Sequence, residues 1–187
     1  MLFIGHSLIA FFDWQKRFPA HKVANLGVAG ETVGGLLSRT AHIIKTHPSA
    51  DLLFLMTGLN NIAMDDFGFL GSYRKIIEEL SSAYPEAKIC INSILPTMIN
   101  DISNESIEEM NRSLKKLALN CRVDFLDVYG AFTDANGMPL KDFFLDDGVH
   151  LSEKGYALWS GALDNIIGAS GFLMGSPNIL CLRSSEA

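Results

Sequence analysis

An α/β protein, built as a three-layer α/β/α sandwich on a five-stranded parallel sheet, is what this chain of 187 residues predicts. Three observations carry that prediction. Short apolar segments alternate along the chain with segments striped at helical spacing. One of them, Leu52-Leu53-Phe54-Leu55-Met56, is apolar without interruption, as a strand buried on both faces requires. No repeat or low-complexity run breaks the alternation, so a single domain accommodates it. That domain is expected over residues 1–170, with 171–187 as a C-terminal tail in which Gly, Ser and Pro are scattered among apolar residues.

Each element has its own signal. Leu2–Gly5 reads as the first strand and Lys22–Leu26 as a weaker second one. Asp51–Thr57, Lys88–Leu95 and Val123–Val128 read as strands three to five. The first long helix carries Leu36, Leu37, Ile43 and Ile44 and stops before Pro48. The next carries Tyr73, Ile76, Ile77, Leu80 and Tyr84, and Pro85 ends it. A third carries Ile107, Met110, Leu114, Leu117 and Cys121, with Ser103 or Asn104 as its N-cap. The last starts at Ser152, where Leu151 and Tyr156 are spaced to form a hydrophobic staple. Its inward face is Tyr156, Trp159, Leu163, Ile166 and Ile167. These stripes are packing faces.

Composition narrows the function. The net charge of −6 and the lack of any Lys/Arg-rich run argue against a nucleic-acid partner. No apolar stretch is long enough to span a membrane, and the first residues read as a core strand rather than a leader. Cys90, Cys121 and Cys181 are odd in number and far apart, which fits reduced thiols in a cytoplasmic protein. No His/Cys spacing suggests a metal, and no cofactor is expected. His21, His42 and His47 read as solvated side chains.

Right-handed crossovers put the carboxyl ends of all parallel strands on one edge, where such sheets bind ligands. The segments just past each strand are therefore the ones to read for chemistry. Ser7 follows the first strand directly, either as a helix cap or as a nucleophile. No G-x-S-x-G elbow surrounds it. Asn25 to Thr32 follow the second strand. They are either a turn into a helix capped by Thr32 or Glu31, or a turn whose Gly30 N–H faces a reacting oxygen. The spacing fits no phosphate-binding loop. After strand three, Asn60 is a turn former or a side-chain donor to an oxyanion. Ahead of the last helix, Asp147-Gly148-Val149-His150 lets a carboxylate reach the imidazole of its own loop. Asp146 is the rival carboxylate.

Together these fragments resemble the SGNH (GDSL-type) hydrolase family of serine esterases and lipases. Ile4-Gly5-His6-Ser7-Leu8 resembles the G-D-S-L block, which implies Ser7 as nucleophile. The segment from Asn25 to Thr32 resembles the second block and implies the Gly30 N–H as an oxyanion donor. Gly58-Leu59-Asn60-Asn61 resembles G-x-N-D and implies Asn60 as another. Asp147-x-x-His150 matches D-x-x-H and implies the other two triad members, with the Ser7 N–H completing the oxyanion hole. The four blocks occur in order and cover nearly the whole chain. The resulting expectation is a flavodoxin-like sandwich with strand order 2-1-3-4-5. Its site would hydrolyse small-molecule carboxylic esters, short-acyl or acetyl, of carbohydrate or lysophospholipid type. With no long lid between blocks, the site is expected to be open.

Two positions depart from the family pattern. His6 and Asn61 each replace the usual Asp, and both are expected to hold loops beside catalytic residues. They also define a rival reading, a non-catalytic SGNH-fold protein that binds a ligand or partner. The intact set of Ser7, Gly30, Asn60, Asp147 and His150 speaks against it. An unrelated flavodoxin- or receiver-type binding domain would need a phosphate loop or acidic cluster after strand one, and neither is there.

Overall fold

The computed structural model describes residues 1–169. The tail expected at 171–187 and Cys181 lie outside the described residues. Five strands form one parallel sheet in the order β2-β1-β3-β4-β5. They are β1 (Leu2–Gly5), β2 (Ala24–Gly27), β3 (Leu52–Met56), β4 (Lys88–Asn92) and β5 (Asp124–Leu126). This is the predicted order. The long helices are α3 (Val33–Thr46), α5 (Leu70–Ala83), α6 (Asn104–Cys121) and α7 (Glu153–Ala169). Three one-turn helices precede or separate them: α1 (Ser7–Ala10), α2 (Trp14–Arg17) and α4 (Leu59–Ile62).

Side chains alternate across the strands, so each strand feeds both faces. Leu2, Ile4, Leu53, Leu55, Ile89 and Ile91 pack under α3, α5 and α6. Phe3, Leu52, Phe54, Met56 and Cys90 pack under α1, α2 and α7. The second face is aromatic. Phe3 stacks on Trp14 at 4.1 Å, Trp159 meets Trp14 edge-on at 4.9 Å, and Phe12 stacks on Tyr156 at 4.3 Å. The Tyr156 hydroxyl donates to the Leu8 carbonyl at 3.0 Å. Helix α7 is thereby fastened to α1, which brings residues far apart in sequence to one place. No helix among the described residues is long and apolar enough to cross a membrane.

Four strands differ in their bounds from the sequence reading, β3 only by losing one residue at each end. β2 is shifted toward Gly27 because its partner β1 sets the register, Leu2 beside Ala24 and Gly5 beside Gly27. β4 ends at Asn92 rather than Leu95. There the chain leaves the sheet for side-chain partners, with Ile94 bonded through both its N–H and its carbonyl to Asn111. β5 is shorter at both ends. Val123 N–H completes the turn after α6, and Val128 N–H donates to the Ser93 hydroxyl.

Candidate active site

β1, β3 and β2 end side by side, with Gly5 paired to both Gly27 and Met56. Whatever follows these strands therefore shares one edge of the sheet. Ser7 is the first residue of α1, and its cap is the neighbour: the His6 Nδ1 accepts from the Leu8 N–H at 3.4 Å. The cap role weighed for Ser7 thus falls to His6, leaving the Ser7 hydroxyl free for another partner. That partner is His150, whose Nε2 lies 3.0 Å from Ser7 Oγ. On the far side of the ring, His150 Nδ1 lies 2.7 Å from Asp147 Oδ2.

Asp147 Oδ1 accepts from the N–H groups of Val149 at 2.9 Å and His150 at 2.8 Å. Those bonds, the Val149 N–H foremost, hold the carboxyl at about 2, well below the ordinary carboxylate range. Asp147 is therefore ionised at any ordinary pH and orients His150 with Nδ1 protonated and Nε2 facing Ser7 as an acceptor. Among the described residues Asp146 has no such contact, and the carboxylate beside the ring is that of Asp147.

The loop that carries the imidazole is itself clamped. The Gly148 carbonyl accepts from the Met98 N–H at 2.8 Å and the Thr97 hydroxyl at 3.0 Å, and Leu145 N–H donates to the His150 carbonyl at 2.7 Å. Gly148 lies at φ +72, and a Cβ there would sit 2.8 Å from Met98 Cβ. Only glycine lets the two loops approach this closely. The clamp was not read from the sequence. A lone Thr97 gives no sequence signal of its partner.

Three N–H donors border the same edge. The Ser7 and Gly30 N–H groups have no acceptor among the described residues, and Gly30 turns its backbone with φ +75 in open space. Asn60, on α4, uses one Nδ2 hydrogen on the Glu31 carbonyl at 2.9 Å, leaving the other uncommitted. Thr32 caps α3, so Glu31 is released from the capping role considered for it. The side chains of His150 and Asp147 remain 29% and 49% exposed, so the ring is open to water. Among the described residues, no cluster of His, Cys, Asp or Glu is placed to hold a metal.

The profile of the GDSL-like lipase/acylhydrolase family matches residues 10–158, most of the chain.

The chain belongs to the GDSL-like lipase/acylhydrolase family.

A Streptococcus pneumonia protein named for platelet activating factor shares 30% identity with it, at a TM-score of 0.80 over 89% of this chain and 82% of its own. Two more distant neighbours share the fold. One is a GDSL-like lipase from Bacteroides thetaiotaomicron, with 20% identity and TM-score 0.75 over 90% of this chain and 87% of its own. The other is an acetyl-xylooligosaccharide esterase from Geobacillus Stearmophilus, with 17% identity and TM-score 0.71 over 95% and 96%. No curated protein matches. The family match starts just past Ser7, so the place of Ser7 rests on its geometry.

In this SGNH hydrolase both departures from the family pattern have a structural role. His6 is buried, and burial, helped by the nearby His150, pushes its imidazole down to about 4. It is a neutral cap at neutral pH, not a second titrating base beside Ser7. Asn61 is buried too. Its Oδ1 accepts from the Val33 N–H at the start of α3 at 2.9 Å, and its Nδ2 donates to Asp66 Oδ2 at 2.7 Å. An aspartate there would face the Asp66 carboxylate without a proton to share, so Asn61 and Asp66 belong together.

Asn25 went unassigned in the sequence beyond its place in the second block. Its Nδ2 reaches the carbonyls of Ile9, Ala10 and Phe12 at 3.0, 3.3 and 3.0 Å, fastening the segment after Ser7 to β2. Phe11 went unassigned as well. It is exposed, with its ring centroid 5.2 Å from that of His150.

Proposed function

We propose that this SGNH hydrolase is a serine esterase that cleaves short-acyl, chiefly acetyl, esters through an acyl-enzyme intermediate. The observation that carries the reading is the continuous relay from Ser7 Oγ through His150 to Asp147, at 3.0 and 2.7 Å. In the proposed cycle, His150 Nε2 takes the Ser7 proton as Oγ bonds to the ester carbonyl carbon. The carbonyl oxygen becomes an oxyanion, accepted by the N–H groups of Ser7 and Gly30 and by the free Nδ2 hydrogen of Asn60. The carbon–oxygen bond to the alcohol then breaks, and His150 returns its proton to the departing oxygen. Water repeats the sequence on the acyl-enzyme: His150 takes its proton, the acid leaves, and Ser7 regains its hydrogen. Asp147 stays ionised throughout and stabilises the transient imidazolium.

The surroundings favour a small, uncharged ester. The edge segments 6–13, 28–32, 57–69, 93–103 and 144–152 contain no Lys or Arg, so nothing there pairs with an anionic substrate. Exposed Phe11, Val28, Met98 and Leu145 offer apolar contact on the same segments. The exposure of His150 and Asp147 favours a short acyl group over one that needs an enclosed site. The acetyl-xylooligosaccharide esterase among the structural neighbours supports an acetylated carbohydrate as the natural substrate type. The direct test is hydrolysis of p-nitrophenyl acetate by the wild type beside Ser7→Ala. A loss of about 10³-fold or more is expected. Equal rates in the two proteins would overturn the proposal.

A further inference from the structure

We infer that the partly buried Glu31–Arg39 ion pair is a positioning device for the oxyanion hole, acting through the Glu31 carbonyl on Asn60. The inference rests on the serine-esterase reading above.

Glu31 sits between Gly30, the backbone donor, and Thr32, the cap of α3. Its carbonyl is the only acceptor that holds Asn60 Nδ2 among the described residues, at 2.9 Å. With one hydrogen so fixed, the planar carboxamide has one direction left for the other. The aim of the side-chain donor is therefore set by where the Glu31 carbonyl lies.

The backbone here is held on one side by the Glu31 N–H, which donates to the Val28 carbonyl at 3.2 Å, in a turn that passes through Gly30 at φ +75. The side chain supplies a second hold. The Glu31 carboxylate is only 6% exposed, and Arg39 grips both of its oxygens, Nη2 at 2.7 Å from Oε2 and Nε close to Oε1. The same Arg39 Nη2 also donates to the Leu26 carbonyl in β2 at 2.8 Å. One guanidinium thus links the sheet, the helix α3 that carries it, and the turn that bears Gly30 and Glu31. A planar fork is needed for three acceptors at once, which a lysine does not offer. Without Arg39 the carboxylate is buried and unpaired. It turns outward to water, the turn shifts with it, and Asn60 loses its anchor.

The test is a double-mutant cycle with p-nitrophenyl acetate. Arg39→Met is expected to lower kcat by about 10-fold with KM within about 2-fold, because a misaimed donor weakens the transition state rather than ground-state binding. Arg39→Lys recovers part of the loss. In the Asn60→Ala background, Arg39→Met costs less than about 2-fold further, since the group it aims is gone. Glu31→Gln, close in shape, is expected to show the same coupling to Asn60 and stands in if Arg39→Met does not fold.

An unchanged kcat, or an equal factor with and without Asn60, would overturn the inference while leaving the Ser7 chemistry intact. A second readout needs no turnover. In a ¹⁵N–¹H spectrum, Arg39→Met is expected to speed exchange of the Asn60 carboxamide protons with water. An unchanged exchange rate would also overturn the inference, whether or not the esterase reading stands.

Discussion

His6 stands beside the nucleophile where the family has an acid, and it makes a quantitative prediction about acid stability. The perturbation is His6→Asn, compared with the wild type at two pH values. Asparagine is a good helix cap and keeps an acceptor for the Leu8 N–H, so the two proteins should differ little at pH 7.5. They should part on acidification. The buried His6 imidazole is pushed down to about 4 from an ordinary 6.5, so the unfolded chain takes up this proton before the folded one does. A histidine kept neutral by the fold contributes its full stability above about pH 6.5. That contribution drains away as the pH falls toward 4.

Integrating the two titrations between pH 7.5 and 4.5 gives a loss of about 2.5 kcal/mol from this one side chain. At a urea slope of about 2 kcal/mol/M, that is a fall of roughly 1 M in midpoint. The variant has no imidazole at this position, while all other titrating groups are common to both proteins and cancel in the difference. Urea unfolding followed by far-ultraviolet circular dichroism at the two pH values reads it directly. If wild type and His6→Asn lose the same stability on acidification, His6 is not held neutral by burial and the reasoning fails.

The other predictions concern the loops around the triad. Asn61→Asp should destabilise the protein by about 2–3 kcal/mol at pH 7, because it trades a bond to Asp66 for a like charge at 2.7 Å. Adding Asp66→Asn should recover most of that, and urea midpoints for the two variants test the pairing. Asp147→Asn should cut kcat by roughly 10³–10⁴-fold by removing the carboxylate that orients His150, while Asp146→Asn stays within about 2-fold. Steady-state rates that reverse this order would move the role to Asp146. Gly148→Ala should cost about 1–3 kcal/mol, since its Cβ combines an unfavourable φ with contact on Met98 Cβ. A thermal midpoint equal to that of the wild type would show that the two loops can separate without penalty.

Much of the fold was legible because its signals are local. The unbroken run in β3 and the stripes of α3, α5, α6 and α7 reflect burial periodicities that neighbouring residues set for themselves. Strand ends were less legible. β4 stops at Asn92 because the side chain of Asn111, on a later helix, captures the Ile94 backbone, and no residue near Ile94 announces that. At the site, the residues that form spaced blocks were readable. Those that act by long-range contact were not: Thr97 on Gly148, Asn25 on the segment after Ser7, Arg39 on Glu31. His6 and Asn61 were visible as departures, but their meaning needed three-dimensional neighbours. The cap geometry explains the first, and Asp66 explains the second.

The most direct test of the central claim is covalent. A fluorophosphonate reacts with a serine only when a base activates it and donors hold the developing oxyanion. After exposure of the wild type to such a probe, intact-mass and peptide analysis should find one phosphonyl group, on Ser7. Ser7→Ala should take up none, and His150→Ala should label at least about 10³-fold more slowly, because the two act as a unit. Labelling of Ser7 at an unchanged rate without His150, or modification of a different residue, would contradict the account.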